Sequence, residues 1–440
     1  MNENRENKAN SKYMGKIAAK ISWKSKFFDL LFLPTVIGII CGLIMVGFNF
    51  LLIIFSITFS FVPYFLSPVI GSLLTSILVK NRKLYKILGS GGDEFIKEVN
   101  DPELKYRRIS NLLAKSFATS WTYGSGMICG REGPGLLIGA NVGHLFSDKF
   151  KLNKSDYLFI GSSACTAAIF KAPISGALFC AELPYMNYLN YKSLIPSIIA
   201  STFSYIAFCL IFQFTPFIET RLFTATPNQI SYVFILPLLI LFGILNGLIV
   251  LLFVKLLQLT KTRLRTIFEK RKLLWVLPTI GGIGYSIFLF FTFPFLNDSY
   301  HQGIIHPDVP YLSFLSFNIS SGQLTPIYFI ISLILITFAT VLSIGTINSA
   351  GVMMPLMIFG ALCGALFGII FYPNNPELFI LLGISATLGA ALNNPITAIF
   401  IIVEMTWVPF LFIPAGITTI IAYIISGPTK ILSKLEFIKE

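Results

Sequence analysis

Residues 161–182 read GSSACTAAIFKAPISGALFCAE, and residues 383–404 read GISATLGAALNNPITAIFIIVE. In both stretches the proline lies twelve positions after the first glycine, and the final glutamate lies nine positions after the proline. Upstream, the motif GREGP at Gly130–Pro134 has a counterpart, GVMMP, at Gly351–Pro355. Three anchors in register indicate an internal duplication, so the chain is predicted to contain two homologous halves.

The composition predicts a membrane protein with several transmembrane segments. Of 440 residues, 55% are hydrophobic and only 12% are charged, and the mean hydropathy is +0.77. Several apolar stretches exceed the roughly 18–20 residues that cross a bilayer. They are Leu30–Phe61, Ile230–Val254, Leu273–Leu296 and Pro326–Ile347. This excludes a soluble domain, and the lipid bilayer is an expected partner.

The net charge of +13 is concentrated in three places. Basic residues fill the N-terminal tail, the segment 255–272 and the last residues of the chain. This pattern is typical of cytoplasmic segments, so we expect both termini and a 255–272 loop to be cytoplasmic, in a plasma (inner) membrane. It does not favour a nucleic-acid partner. The tail is too long and polar for a signal peptide.

Short apolar segments interrupted by Gly and Pro accompany the repeated motifs. Broken helices at membrane depth face protein or a polar cavity and often mark a transporter's binding site. The predicted fold is an all-α polytopic membrane protein, made of two inverted-topology helical repeats with broken and re-entrant helices. The predicted divisions are a basic tail at 1–26, a first repeat at 27–216 and a second at 228–437. Such repeats direct helix N-termini at an anion near the membrane midplane.

Glu132 stands at the centre of the first motif. An ionisable side chain at membrane depth costs about 2.5–3.5 kcal/mol on insertion scales, which makes it a functional candidate. Flanked by glycine and followed by a proline that can open a helix, Glu132 is interpreted as a gate at an anion site. The alternative is a structural salt bridge with Arg131, although adjacent residues of a helix do not face each other.

The chain combines these motifs with Gly89–Gly91 and with the two repeated segments that end in Glu182 and Glu404. In this combination it resembles the CLC family of chloride channels and proton-coupled chloride transporters. The resemblance implies a homodimer with one anion pathway per subunit, chloride or a similar small anion as substrate, and protons as a second one. It implies that Glu132 competes with anions and carries the proton in exchangers. It assigns anion-binding positions to Ser90, Gly91, Arg131, Gly133, Val352, Met353 and Ile431.

Two of these assignments have structural alternatives. Ser90 corresponds to the family's central anion-coordinating serine, and a hydroxyl with backbone N–H groups can bind chloride without a full positive charge. Alternatively, this serine caps a short helix. Lys115, seventeen residues before Glu132, matches a buried family lysine that makes the pathway electropositive. Alternatively, it reaches an interface with its charged end.

The chain departs from the family pattern at several positions. Met353 replaces the motif's aromatic residue, Ile431 aligns with the tyrosine that closes the inner side of the pore, and Asp93 stands in place of a proline. Leu183 occupies the position of the internal glutamate that passes protons inward in many exchangers, beside Glu182. Since leucine cannot relay protons, we expect channel-like or weakly proton-coupled transport.

An obligate proton–chloride antiporter is the alternative, because some relatives exchange protons without that glutamate. The chain ends soon after its last membrane helix, so the nucleotide-binding domains of many eukaryotic relatives are expected to be absent. Voltage sensitivity would come from the permeating charge and Glu132. A transporter of another anion, such as fluoride, is a more distant alternative.

The sequence gives little support to the hypothesis that the protein is an enzyme. Gly91–Phe95 spells the GGDEF signature of diguanylate cyclases, but the polar stretch around it is too short for that soluble domain. Its acids, Asp93, Glu94, Glu98 and Asp101, are expected to form a solvated cytoplasmic face. An intramembrane protease would need a catalytic dyad or zinc motif that the sequence lacks. No cofactor and no metal site are expected, because the cysteines and histidines show no ligand spacing.

Overall fold

The structure, a computed structural model, describes residues 28–82, 84, 87–101, 108–185, 189–220, 232–292, 325–427 and 431–432. Fifteen α-helices make up almost all of this described part. They are α1 (Leu33–Ser60), α2 (Ser67–Arg82), α3 (Gly92–Asn100), α4 (Arg108–Gly124), α5 (Glu132–Phe150), α6 (Lys154–Phe170), α7 (Pro173–Glu182), α8 (Tyr191–Phe212), α9 (Tyr232–Lys270), α10 (Leu277–Thr292), α11 (Pro326–Ser343), α12 (Met353–Phe371), α13 (Pro376–Leu392), α14 (Pro395–Thr406) and α15 (Phe412–Ser426). The predicted tail at 1–26 lies outside the described residues.

Seven helical segments of the described part are long and apolar enough to cross a membrane. They are Leu30–Ser60, Tyr191–Phe212, Ile235–Lys270, Leu274–Thr292, Pro326–Ser343, Met353–Phe371 and Pro409–Ser426. Between them lie helices such as α7 and α14, with 10 and 12 residues, which are too short to span about 30 Å of hydrocarbon. This combination confirms the predicted all-α polytopic fold with broken helices.

One sequence prediction about this fold is wrong. The segment 255–272 is not a loop, because α9 continues without a break to Lys270 and is 39 residues long. The extension is rich in Leu, Lys and Arg, which are strong helix formers, and it contains no Gly or Pro. Its basic side chains therefore project from a helix, about 58 Å long in total, rather than from a flexible connection.

The two repeats pack in matching ways. A Cβ atom built on Gly139 of α5 would collide with the carbonyl of Gly161 on α6. In the second half, a Cβ on Gly360 of α12 would collide with the carbonyl of Gly383 on α13. Glycine at these crossings lets the paired backbones touch, as small residues do in membrane helix packing. The structure thus contains the two inverted helical repeats, while the limits 27–216 and 228–437 remain a prediction.

A reciprocal pair of helix caps joins the halves at α7 and α14. Glu182, at the end of α7, accepts hydrogen bonds from the backbone N–H and hydroxyl of Thr397 at 2.9 and 2.6 Å. Glu404, near the end of α14, accepts the same two bonds from Ser175 at 2.7 and 2.6 Å. Each carboxylate lies at the positive end of the other half's helix, so the contact is symmetric and favourable.

The acidic helix α3 is not the expected solvated face. Asp93, Glu94 and Glu98 are all buried, with 8%, 8% and 2% of their surfaces exposed, whereas Asp101 is exposed. The expectation is wrong for the three residues within α3 because the helix is enclosed on nearly all sides and packs against α5. Nothing in the charge pattern of nine residues reveals that enclosure.

Candidate anion site

The starts of three helices meet at one point. Gly130 and Gly351, which precede α5 and α12, exchange two backbone hydrogen bonds of 2.7 Å. Gly91, which precedes α3, packs so closely on Gly133 that a Cβ atom would lie 2.5 Å from the carbonyl oxygen of Gly133. The first turns of these helices leave N–H groups without partners inside the helix, and these groups favour an anion.

Ser90 lies directly at this junction. It is 4% exposed, and its Oγ atom has no hydrogen-bond partner among the described residues. The N-cap of α3 is Gly91, with a left-handed φ of 88°, and no side chain caps the helix. Ser90 is therefore not a helix cap, and its hydroxyl is left with an unused donor at the helix start.

Glu132 is the first residue of α5 and is 1% exposed. Both oxygens of its carboxylate are buried and have no hydrogen-bond partner in another described residue. The carboxylate lies over the bridge between the halves, since a Cβ on Gly351 would be 2.8 Å from Oε2. Burying a polar group without a partner is unfavourable, and in a native protein it calls for an explanation.

Arg131 does not form the alternative salt bridge. Its Nη1 atom donates a 2.8 Å hydrogen bond to Oδ1 of Asn49, and its guanidinium lies 5.6 Å from the centre of the Phe217 ring. The side chain is therefore directed away from the junction, and only its backbone remains for the predicted anion-binding role. Sequence reasoning missed Asn49, although it is the only amide side chain in the stretch Leu30–Phe61.

The start of α12 repeats the geometry of α5 without an acid. Arg131 and Val352 precede the two helices with nearly the same backbone angles, φ −97° and −96°. Met353 consequently occupies the position that Glu132 occupies in the first half, and both Val352 and Met353 are buried. The starts of α5 and α12 are equivalent in their backbones, but only the start of α5 carries a carboxylate.

Lys115 supplies a positive charge beneath the loop that leads to Ser90. It is 1% exposed, so its charged end does not reach an interface. Its Nζ atom donates hydrogen bonds of 2.8 and 2.7 Å to the carbonyl oxygens of Ile87 and Gly89. Lys115 thus holds the chain just before Ser90 in place and makes the surroundings electropositive.

A cavity of about 740 Å³ opens beside the start of α3. Ile431 and Leu432 border it, and Leu432 would lie 2.8 Å from a Cβ atom on Gly92. Asp93 also lines the cavity, but its carboxylate is paired with Nζ of Lys261 at 2.6 Å. The unexpected negative charge near the anion path is thereby neutralised, and other lysines and arginines of the rim leave the cavity basic.

Leu183 follows α7 directly and is completely buried. Its neighbour Glu182 is committed to capping α14. Of these two adjacent positions, one has no titratable side chain and the other has its carboxylate fully engaged. The structure therefore provides no free acid at the place where many exchangers of the resembled family have one.

Helix starts from two inverted repeats thus meet around the Ser90 hydroxyl and the Glu132 carboxylate, neither of which has a partner among the described residues, and this arrangement is typical of a membrane transporter of small anions. The chain belongs to the family described as voltage gated chloride channel, whose model matches residues 82–427. The H(+)/Cl(-) exchange transporter ClcA of Vibrio cholerae serotype O1 is 29% identical over 450 residues, with 93% of this chain and 89% of the relative covered. ClcA of Vibrio vulnificus is 26% identical over 444 residues, with 94% and 91% covered.

Solved structures show the same fold. A slow cyanobacterial Cl-/H+ antiporter superimposes with a TM-score of 0.72 at 19% identity, covering 91% of this chain and 96% of the other. A CLC-type fluoride/proton antiporter gives 0.72 at 20% identity, covering 92% and 97%. At these identities the likeness establishes the fold alone.

Proposed function

We propose that this protein exchanges chloride for protons across a membrane, with Glu132 as both gate and proton carrier. The observation that carries the proposal is the buried Glu132 carboxylate, which lies at the junction of helix starts and has no hydrogen-bond partner in any other described residue. The names of the ClcA relatives describe proton–chloride exchange. They support the hypothesis of an antiporter over the prediction of channel-like transport based on Leu183.

The anion would be bound by the hydroxyl of Ser90 and by backbone N–H groups of α3, α5 and α12. Helix N-termini favour negative charge, and no full positive charge is needed within the path itself. Lys115, whose ammonium group is held behind Ser90, raises the local potential and attracts anions toward the site. Ile431 leaves the inner side without the hydroxyl that a tyrosine would contribute.

The gate would work through the charge of Glu132. When ionised, the carboxylate is itself an anion and competes with chloride for the N–H groups. When protonated, it loses this attraction and vacates the site, so a proton crosses as chloride moves the other way. Movement of one such charge across 100 mV is worth about 2.3 kcal/mol, which makes the transport voltage-sensitive.

We further propose that the protein is a homodimer in the plasma (inner) membrane with both termini cytoplasmic. The basic end of α9 and its adjoining cavity would then lie on the cytoplasmic side, in agreement with the excess of lysine and arginine in cytoplasmic segments.

The test is a flux assay with purified protein in liposomes. A chloride gradient is imposed with the voltage clamped, and proton movement is followed; wild-type protein should drive protons uphill. Glu132→Gln should abolish proton movement and leave a chloride flux that no longer depends on pH. Glu269→Gln, at a position whose side chain is 63% exposed, is the control and should retain coupling. Passive chloride flux without uphill proton movement in the wild type would contradict the antiport mechanism.

A further inference from the structure

A second group of buried titratable side chains lies between α3 and α5. Oε2 of Glu98 and Nε2 of His144 are 3.5 Å apart, with the side chains 3% and 5% exposed. Glu94 lies one helical turn before Glu98, and its Oε2 has no hydrogen-bond partner among the described residues. Fold stability does not account for the Oε2 atom of Glu94, because burying a polar atom that has no donor among the described residues is unfavourable.

The three groups lead toward the anion site. Glu94 and Glu98 are four residues apart on one helix, so they share a face and their Cβ atoms are about 5–6 Å apart. Glu94 lies in the first turn of α3, which begins two residues after Ser90. Ser90 in turn touches Gly133, the residue after Glu132. The order in space is therefore Glu98, Glu94, Ser90 and then Glu132.

One side of α3 borders the basic cavity. Asp93 and Lys97, which belong to the same helix as Glu94 and Glu98, both line the basic cavity of about 740 Å³. The cavity therefore reaches the side of α3 next to the one that carries Glu94 and Glu98. The opposite wall is apolar, since Phe95 packs edge-on against Phe159 of α6.

Several charges act on Glu94, which belongs to none of the seven spanning segments. Burial, and secondly the carboxylate of Asp93, raise its pKa above the ordinary value. The ammonium groups of Lys115, Lys97 and Lys261, on α4, α3 and α9, act in the opposite direction. Glu94 can therefore hold a proton more readily than an exposed glutamate while remaining able to release it.

We propose that Glu94 and Glu98, with His144, form the inner proton site of this transporter and take the role that Leu183 cannot perform. This inference rests on the proposed proton–chloride exchange. A proton from water binds the Glu98–His144 pair, moves to the Glu94 carboxylate and passes through water at the anion site to Glu132. Each group returns to its starting protonation state when it passes the proton on, and only bonds to hydrogen form and break.

The test uses Glu94→Gln and Glu98→Gln in the same liposome assay. Each substitution keeps the side chain's shape but removes its ability to carry a proton. We expect the number of protons moved per chloride to fall at least tenfold, while chloride flux stays within about fivefold of wild type. Glu269→Gln is the matched control, because Glu269 lines the same cavity but has a side chain that is 63% exposed; it should transport as the wild type does.

A purely structural role for Glu98 gives a different result. If it only holds α3 on α5, Gln should serve as well as the acid, whereas a proton carrier should be partly restored by Glu98→Asp. Wild-type coupling in both glutamine variants, or equal coupling by the Gln and Asp variants of Glu98, would overturn the inference alone. Absence of proton movement in the wild type would instead overturn the exchange mechanism and the inference together.

Discussion

Glu404, which is half-buried, and Glu132, which is buried, are carboxylates at helix ends in the same membrane protein, but their surroundings are opposite. Glu404 accepts hydrogen bonds from the N–H groups of Ile174 and Ser175 and from the Ser175 hydroxyl. Glu132 accepts none from any other described residue. The hydrogen bonds of Glu404 stabilise the contact between α7 and α14. The Glu132 carboxylate has no such bond to another described residue that would hold it in place. Local rules are often broken in this way at functional sites.

The same contrast appears in the symmetry between the halves. At α7 and α14 the two halves are symmetric in both backbone and side chains, since Glu182 and Glu404 make equivalent caps. At α5 and α12 the backbone is equivalent but the side chains are not, because Met353 stands opposite Glu132. Symmetry is retained where it holds the halves together and lost at Glu132, the proposed gate.

The largest expected effect on stability is that of Glu404→Ala. The substitution removes three hydrogen bonds to a charged group and leaves the start of α7 uncapped, so we expect a loss of about 3 kcal/mol or more in the free energy of unfolding. Unfolding of the purified protein in mixed micelles by increasing dodecyl sulfate measures it. Glu269→Ala, at an exposed position, should change stability by less than about 0.5 kcal/mol. A loss below about 1 kcal/mol for Glu404→Ala would show that the hydrogen bonds of Glu404 do not stabilise the fold and would contradict the proposed contrast with Glu132.

Gly133→Ala should disturb the anion site itself. The added methyl group would collide with the backbone carbonyl of Ser90, which cannot move without displacing α3. Overpacking of this kind costs about 1–3 kcal/mol, and we expect chloride flux to be lost as well. Gly416→Ala is the control, because a Cβ atom there meets nothing within 4 Å. Normal flux in Gly133→Ala would show that the contact between α3 and α5 is not tight in the working protein.

Ser175→Ala and Thr397→Ala test the symmetry of the caps. Each removes one hydroxyl bond of 2.6 Å to a carboxylate but keeps the backbone bond, so each should lower stability by about 1 kcal/mol or somewhat more. The same micelle titration compares the two variants. A cost more than twice as large for one of them would mean that the halves contribute unequally at this joint.

The smallest effect is expected for Glu132→Gln. Since no other residue in the described part of the chain donates a hydrogen bond to this carboxylate, its removal should leave stability unchanged or raise it by up to about 1 kcal/mol. Glu404→Gln, the matched variant, should be clearly destabilising. Equal destabilisation by the two glutamine variants would show that Glu132 is held as firmly as Glu404 and would weaken its proposed role as a gate.

Local sequence patterns were sufficient to predict much of this architecture. Apolar length indicated the spans, because a helix must satisfy its own backbone in a bilayer. The spacing of Gly and Pro indicated the repeats and the helix starts around Gly130 and Gly351. The same reasoning is wrong for α9, because a concentration of basic residues predicts a loop there although the helix-forming residues continue to Lys270.

The sequence by itself determined that the chain is a membrane protein of two repeats with an acid at one of two equivalent helix starts, because hydropathy, small residues and spacing are properties of neighbouring residues. Only the tertiary structure decided which polar groups are partnered. Asp93 meets Lys261, and Glu182 meets Thr397, at separations of 168 and 215 residues. Burial and pairing of Glu94, Glu98 and Lys115 likewise depend on helices distant in sequence, since desolvation is set by everything that surrounds a side chain.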